Sequence, residues 1–357
     1  MKDISIAVLP GDGIGPEVMD SALQVLEQVG QLIQRQFVAQ QYPAGAQNYL
    51  DTGESLPEST LAACRAADAI LFGAMGLPHV RGKDGTEIIP QLDIRFALDL
   101  YAGVRPVRTW PGLPVPLSDP RAMNIDLVLI RENTEGLFHA RGRGVVEGDA
   151  VYDTQKISRT GTTRIVDFAF RLARDRIQRG KPGKVTNVDK ANVFASMAFW
   201  RRIFEDRATQ FPDIKTENAY VDAMALNLVL KPWQYDVLVT ENMFGDILSD
   251  LIASLVGGMG MAPSGDIGDH HGLFQPAHGT APDIAGQGIA NPTAMILSAA
   301  MMLDWLAVKM DDGALATGAR VIEQAVQSAF ACQAVRPREF GGTSGTSDIT
   351  RAVLERL

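Results

Sequence analysis

Asp246 and Asp250 lie four residues apart in the run Thr240-Glu241-Asn242-Met243-Phe244-Gly245-Asp246-Ile247-Leu248-Ser249-Asp250, which reads as a helix. On a helix that spacing puts both carboxylates on one face. Two like charges there cost stability unless a cation or an arginine lies between them, and hard divalent cations take oxygen ligands of this kind. A solvated acidic face is the other reading. Arg95, Arg105 and Arg131 each sit among apolar neighbours, in Leu92-Asp93-Ile94-Arg95-Phe96, Val104-Arg105-Pro106 and Leu129-Ile130-Arg131-Glu132. A guanidinium binds a carboxylate bidentately, so converging arginines suit a di- or tricarboxylate; pairing with structural acids is the alternative. Lys190, in Val188-Asp189-Lys190-Ala191-Asn192, stands where a strand gives way to a helix. Desolvation or neighbouring positive charge would turn such a lysine into a base, whereas exposure would leave it an ordinary cation. The stretch His278-Gly279-Thr280-Ala281-Pro282-Asp283-Ile284-Ala285-Gly286 joins permissive backbone to polar side chains and one acid. A loop gripping a nucleotide has that composition, and so does a capped turn before the helix expected near Asn291-Pro292.

The elements that carry these residues alternate. Compact strands are expected at Ala69 to Phe72, Asp126 to Ile130, Lys184 to Val188 and Asp236 to Thr240, with helices between most of them. That alternation predicts an α/β fold. The first strand-like run, Ile4 to Leu9, leads into Gly11-Asp12-Gly13-Ile14-Gly15-Pro16. The glycine spacing is one residue shorter than the usual dinucleotide fingerprint, so a strand-to-helix turn and a ligand contact both remain open. In the helix that follows, Val18, Ala22, Val25, Leu26, Val29, Leu32 and Ile33 recur at three- and four-residue steps and are expected to line one buried face. The prolines from Arg105-Pro106 to Val115-Pro116, and Gly257-Gly258-Met259-Gly260, mark candidate crossings between domains.

A chain of 357 residues, 46% hydrophobic and 21% charged, can bury a large core and divide into two domains. Its net charge of −9 argues against a broad basic face for nucleic acid. Cys64 and Cys332 are isolated, which argues against a disulfide framework and for a reducing compartment. The N-terminus shows no export signal, and the apolar run Ile296 to Leu303 is far short of the ~20 residues that span a bilayer. A cytoplasmic protein without membrane insertion is expected.

Together these segments resemble the isocitrate/isopropylmalate dehydrogenase family of β-decarboxylating dehydrogenases, from Leu9-Pro10-Gly11-Asp12-Gly13-Ile14-Gly15-Pro16-Glu17 to the Gly341-Gly342-Thr343-Ser344-Gly345-Thr346 region. Arg131-Glu132-Asn133-Thr134-Glu135-Gly136 and Tyr220-Val221-Asp222-Ala223-Met224 add to the match. The resemblance implies two α/β domains around a large mixed sheet, with the active site in the interdomain cleft. Residues 1–102 and 257–357 would form a discontinuous cofactor-binding domain, and 103–256 a metal, substrate and dimerisation domain. It implies that Asp222, Asp246 and Asp250 bind magnesium or manganese and that Arg95, Arg105 and Arg131 hold substrate carboxylates. Lys190 and Asp222 would serve proton transfer from the other subunit of a homodimer. NAD would lie against Ile14, His278, Gly279, Thr280, Ala281, Pro282, Asp283, Ile284 and Asn291, Asp283 disfavouring a 2′-phosphate.

Two departures bear on the reaction. Where the family has a tyrosine acid this chain has Phe138, followed by His139, and an extended segment would turn the two to opposite faces. Before Arg95, where relatives recognise the substrate's distinguishing substituent and isocitrate enzymes carry Ser and Asn, this chain offers Ile, Gln91 and Leu92. An alkyl, hydroxyl or hydrogen substituent is expected there, so isopropylmalate-like, tartrate-like and D-malate-like substrates stand ahead of homoisocitrate and isocitrate. A ligand-binding relative without turnover is the rival from another class, and Phe138 is its only support.

Overall fold

The structure is a computed structural model and describes residues 3–83 and 85–357. The chain forms two compact units: one takes the chain up to Asp99, Trp110–Pro114 and Gly257–Leu357, the other Leu100–Thr109 and Val115–Val256. The boundary thus falls a few residues before the expected 102/103 division. Trp110–Pro114 goes with the first unit because Trp110 and Leu113 are buried in its apolar core, Trp110 edge-on to Phe330 at 6.4 Å. Leu100–Ala102 goes with the second because Ala102 opens the strand Ala102–Arg108, which pairs in full register with Asp126–Glu132.

In the first unit the strand order is Phe37–Gln41, Ile4–Gly11, Ala69–Ala74, Gly272–Pro276 and Pro263–Ile267. The first four run parallel and the last is antiparallel to its neighbour. Parallel strands discharge their C-terminal ends along one edge, so the segments after Gly11, Ala74 and Pro276 gather there. Gly13 shows why glycine is required in that cluster: its φ is +59°, and a Cβ would stand 2.1 Å from the Thr280 carbonyl oxygen. Pro16 follows in the first turn of the helix Gly15–Ile33, where a missing amide donor costs nothing. Val18, Ala22, Val25, Leu26 and Val29 are buried along that helix as expected, each large side chain contributing about 1.5–3 kcal/mol over exposure. Leu32 departs from the expected face and is 54% exposed, because in the last turn it lies in a shallow surface depression beside Gln28 and Leu354. The helix Thr293–Met310 is apolar and long enough to cross a bilayer by length and composition alone, yet 67% of it is buried inside the protein as a core helix.

The second unit orders its strands Ala102–Arg108, Asp126–Glu132, Val237–Thr240, Lys184–Asp189 and Lys215–Tyr220. The first pair is antiparallel and the rest are parallel. Four parallel C-terminal ends therefore share one edge, and they deliver Arg131, the helix Asn242–Ser254, Lys190, and the helix Val221–Leu230 that begins beside Asp222. Arg105 comes from the antiparallel strand, two residues beyond Gly103, which faces Arg131. A short hairpin, Val145–Glu147 with Ala150–Tyr152, projects exposed valines.

Candidate active site

In the second unit the Arg131 guanidinium is buried and turned toward the helix Asn242–Ser254. Its Nε and Nη2 donate to Asn242 Oδ1 at 3.0 and 2.7 Å, and its Nη1 pairs with Asp246. Asn242 in turn donates to the Glu135 carbonyl at 3.0 Å. This close approach needs Gly245, where a Cβ would meet Arg131 Cγ at 2.6 Å. Glu241 caps the helix by accepting from the Phe244 and Met243 amides at 2.7 and 3.1 Å, and burial lifts its carboxyl above the usual range. Asp250, one turn beyond Asp246, is also held above the ordinary carboxylate value, first by desolvation and then by the charge of Asp246, with Arg131 and Arg105 opposing. The helix thus presents two exposed carboxylates side by side with one arginine bound to the first.

Lys190 Nζ lies 2.7 Å from Asp222 Oδ1, and this hydrogen bond holds the Asp222 carboxyl below its ordinary value. Among the described residues no group of three His, Cys, Asp or Glu side chains could hold a metal ion, so one chain does not gather Asp222 with Asp246 and Asp250. The Asp246 and Asp250 oxygens are nevertheless the hard donors that magnesium or manganese takes, and their mutual repulsion is what a cation relieves. In this respect the residues present fit the metal.

Phe138 lies beneath Arg131, the guanidinium carbon 5.0 Å from the ring centre. The premise of an extended segment fails here: Leu137–Ala140 is a 3-10 turn, in which successive side chains diverge by about 120° rather than 180°. His139 Nε2 is 3.2 Å from Arg143 Nη1, and desolvation, then Arg143 and Lys156, push the imidazole below its ordinary value. A neutral ring has no acidic proton to offer at neutral pH.

In the first unit Arg95 is buried, and its Nε donates to Asp266 Oδ2 at 2.7 Å. Gln275 Nε2 donates to the same oxygen at 3.1 Å. A structural acid therefore fixes the orientation of Arg95, and losing that acid would leave a buried charge uncompensated. Gln91 and Leu92 precede Arg95 on the helix Pro90–Ala97; Leu92 is buried, and Gln91 Oε1 is buried without a hydrogen-bond partner.

The His278 loop packs on the glycine turn: the Ile14 amide donates to the Thr280 carbonyl at 2.8 Å, and Thr280 Oγ1 donates to the Gly76 carbonyl at 2.7 Å. Asp12, buried, ties the same turn together by accepting from the amides of Ala46, Gln47 and Gly76 at 2.7 to 2.9 Å. His278 Nδ1 donates to the Gly279 carbonyl at 2.9 Å, which leaves Nε2 as an acceptor, buried and without a partner. Desolvation keeps that ring neutral by lowering its pKa. Gly279 has open space where a Cβ would stand, and Ala281 holds a φ of +36°, a strained conformation for a side-chain-bearing residue. An orphaned acceptor beside open backbone fits the donor groups of an adenine nucleotide. Asp283 is exposed and Ile284 packs on the core. Asn291 is engaged at both ends of its amide: Nδ2 donates to Glu339 at 2.9 Å, and Oδ1 accepts from the Thr293 amide and hydroxyl.

Sequence reasoning did not single out Asn242, Glu241, Asp12, Asp266 or Gln275 as parts of these clusters. Asn242 had a local signal, since it stands one turn before Asp246; Asp266, 171 residues from Arg95, had none.

The isocitrate/isopropylmalate dehydrogenase family model matches residues 5–353. The 3-isopropylmalate dehydrogenase of Aquifex aeolicus is 41% identical, the alignment covering 100% of this chain and 98% of that protein. The 3-isopropylmalate/3-methylmalate dehydrogenase of Methanocaldococcus jannaschii is 42% identical over 99% of this chain and 98% of its own length. Among solved structures, isocitrate dehydrogenase from Methylococcus capsulatus superposes with a TM-score of 0.86 at 36% identity, covering 99% of each chain. The chain therefore belongs to the isocitrate/isopropylmalate dehydrogenase family of β-decarboxylating dehydrogenases.

Proposed function

We propose that the chain oxidises a 2-hydroxy-dicarboxylate with NAD and magnesium or manganese and then releases carbon dioxide, a 3-isopropylmalate-type acid being the first choice among substrates. The observation that carries this reading is the edge of parallel strand ends that delivers Arg131, Asp246, Asp250, Lys190 and Asp222 in one unit. Asp246 and Asp250 would hold the cation, which would supply Lewis-acid polarisation of the substrate oxygen, and NAD held by the His278 loop would be the hydride acceptor. Arg95, Arg105 and Arg131 hold the carboxylates, Arg95 with its Nε edge already fixed by Asp266. Lys190 and Asp222, 2.7 Å apart, form the pair assigned to relay the hydroxyl proton. The electron pair left at C3 by departing carbon dioxide then needs a proton that Phe138 cannot supply.

The active unit in this reading is a homodimer whose partner supplies Lys190 and Asp222. Exposed Val193, Phe194, Leu226, Val229, Leu230 and Ile247 belong to the same segments as Lys190, Asp222 and the acidic helix, an apolar surface that a second copy would cover while completing the carboxylate set. Two free cysteines, the Cys64 thiol pushed up by burial to about 12, suit the cytoplasm.

NAD reduction with manganese by a panel of D-malate, tartrate, 3-isopropylmalate and isocitrate tests the reaction; no turnover of any of them would overturn it. NAD is expected to show higher kcat/KM than its phosphorylated form, because the Asp283 carboxylate repels a 2′-phosphate near the ribose. Higher efficiency with the phosphorylated cofactor would refute that assignment.

Asp246→Asn and Asp250→Asn each remove one anionic oxygen donor. Manganese activation should weaken by at least the ~10- to 100-fold seen when even a supporting contact to a metal site is lost. The folding midpoint of Asp250→Asn should move little, since that side chain is exposed, and Asp250→Asn is therefore the cleaner variant, because Asp246→Asn also removes the carboxylate paired with the buried Arg131. Unchanged manganese titrations in both variants would make the pair a solvated helix face.

A further inference from the structure

We propose that Arg201 is a positioning residue for the Lys190–Asp222 pair. Its guanidinium ties the residue before Lys190 to the residue two before Asp222, and so holds the lysine nitrogen against the carboxylate. The proposal rests on the proton-transfer role assigned above to that pair and adds the side chain that sets its geometry.

Lys190 and Asp222 lie just past the ends of two neighbouring parallel strands, Lys184–Asp189 and Lys215–Tyr220. Backbone pairing between these strands ends with Asp189 opposite Tyr220. Beyond that rung one segment turns through Lys190 and the other enters the helix Val221–Leu230, so the ladder no longer fixes one relative to the other. Arg201, on the helix Ala195–Ala208, spans the last rung. Its Nε and Nη2 donate to Asp189 Oδ2 and Oδ1 at 2.8 and 2.7 Å. The same guanidinium lies over the Tyr220 ring, its central carbon 4.9 Å from the ring centre.

Asp189 is buried and also holds the turn itself. Its Oδ1 accepts from the amide of Ala191, the residue after Lys190, at 2.9 Å, and its Oδ2 accepts from Asn187 Nδ2 at 2.6 Å. Asn187 Oδ1 accepts in turn from Trp200 Nε1 at 2.7 Å, which seats the helix bearing Arg201 on the strand bearing Asp189. Lys190 is therefore restrained from both flanks, and Arg201 carries that restraint across to Tyr220. Neutralising a buried carboxylate would need only a cation. A planar guanidinium does more, because its edge binds the carboxylate bidentately while its face takes an aromatic ring. Arg201→Lys keeps the charge beside Asp189 and breaks the link to Tyr220. Tyr220→Leu breaks the link from the other end and leaves the ion pair whole.

The test measures kcat and KM at saturating manganese, with NAD and whichever acid of the panel the wild type turns over fastest, for wild type, Arg201→Lys, Tyr220→Leu, their double variant and Lys190→Met. Each of the first two substitutions should lower kcat by about 10- to 100-fold, the cost of misplacing a reacting group by about 1 Å, with both KM values little changed. The double variant should be no slower than the slower single variant, because both substitutions cut one link. In mixed dimers with Asp246→Asn subunits, Arg201→Lys subunits should complement as Lys190→Met subunits do, whereas a general loss of structure would not. Unchanged kcat in both single variants, losses that multiply in the double variant, or a failure to complement where Lys190→Met complements would each overturn the proposal. Tyr220 is exposed, so the kcat of Tyr220→Leu decides alone if Arg201→Lys does not fold. Wild-type kcat in Lys190→Met would instead strike the role assigned to the pair, so the two failures are distinguishable.

Discussion

Lys190→Met is expected to lower kcat by ~10²- to 10⁴-fold, the contribution that a positioned proton acceptor makes. Methionine keeps the apolar stem and removes only the nitrogen that stands 2.7 Å from Asp222. The Asp222 side chain is 68% exposed, so water takes over the lost hydrogen bond and the fold should persist with its melting temperature little changed. A mixed dimer tests whose site the lysine serves. When Lys190→Met subunits are combined with Asp246→Asn subunits, a shared arrangement leaves one site of each mixed dimer with an intact lysine and an intact acidic helix. Random pairing should then restore roughly a quarter of wild-type activity, because about half the dimers are mixed and each has one of two sites whole. No restoration would place Lys190 in the site of its own chain, and a kcat within a few-fold of wild type would remove it from proton transfer.

Phe138→Tyr carries the second large effect. The ring already lies beneath the Arg131 guanidinium, so a para hydroxyl would add a phenolic proton to a side chain held beside a proposed carboxylate-binding residue. If the enolate formed on loss of carbon dioxide waits for its proton in the wild type, NADH should accumulate ahead of the protonated product. Phe138→Tyr should then accelerate the later step by up to ~10²-fold, the low end of general-acid catalysis. His139→Ala should leave that step unchanged, because His139 faces Arg143 at 3.2 Å and its pKa is depressed by burial and by neighbouring cations. Equal rates of NADH and final product formation in wild type, with no gain from the tyrosine, would show that water or Lys190 protonates C3. A loss in His139→Ala would restore the histidine as the acid.

Local spacing was enough to determine several features of this protein. The helix after Gly15, its Pro16 start and the burial of Val18, Ala22, Val25 and Val29 follow from a 3.6-residue period. Five of the strands were legible as short apolar, mostly β-branched runs, and their alternation with helices determined the α/β class. The common face of Asp246 and Asp250 follows from helix geometry alone. Periodicity reports which side of an element is apolar, and that information resides within one turn or one strand.

Only the tertiary structure decided which partners the polar groups take. Asp266 reaches Arg95 across 171 residues, and Asn242 reaches Arg131 across 111, because strands distant in sequence are brought together in the sheets. The order of strands decides which loops share an edge, and hence that Ile14 bonds Thr280 and that Asp12 ties Ala46 to Gly76. Asn291 is tied to Glu339 and caps Thr293, whereas Gln91, an ordinary polar residue in the sequence, is left with an unbonded buried oxygen. Whether a side chain is satisfied depends on every atom that folding brings within about 3 Å of it, and residue spacing along the chain does not encode those atoms.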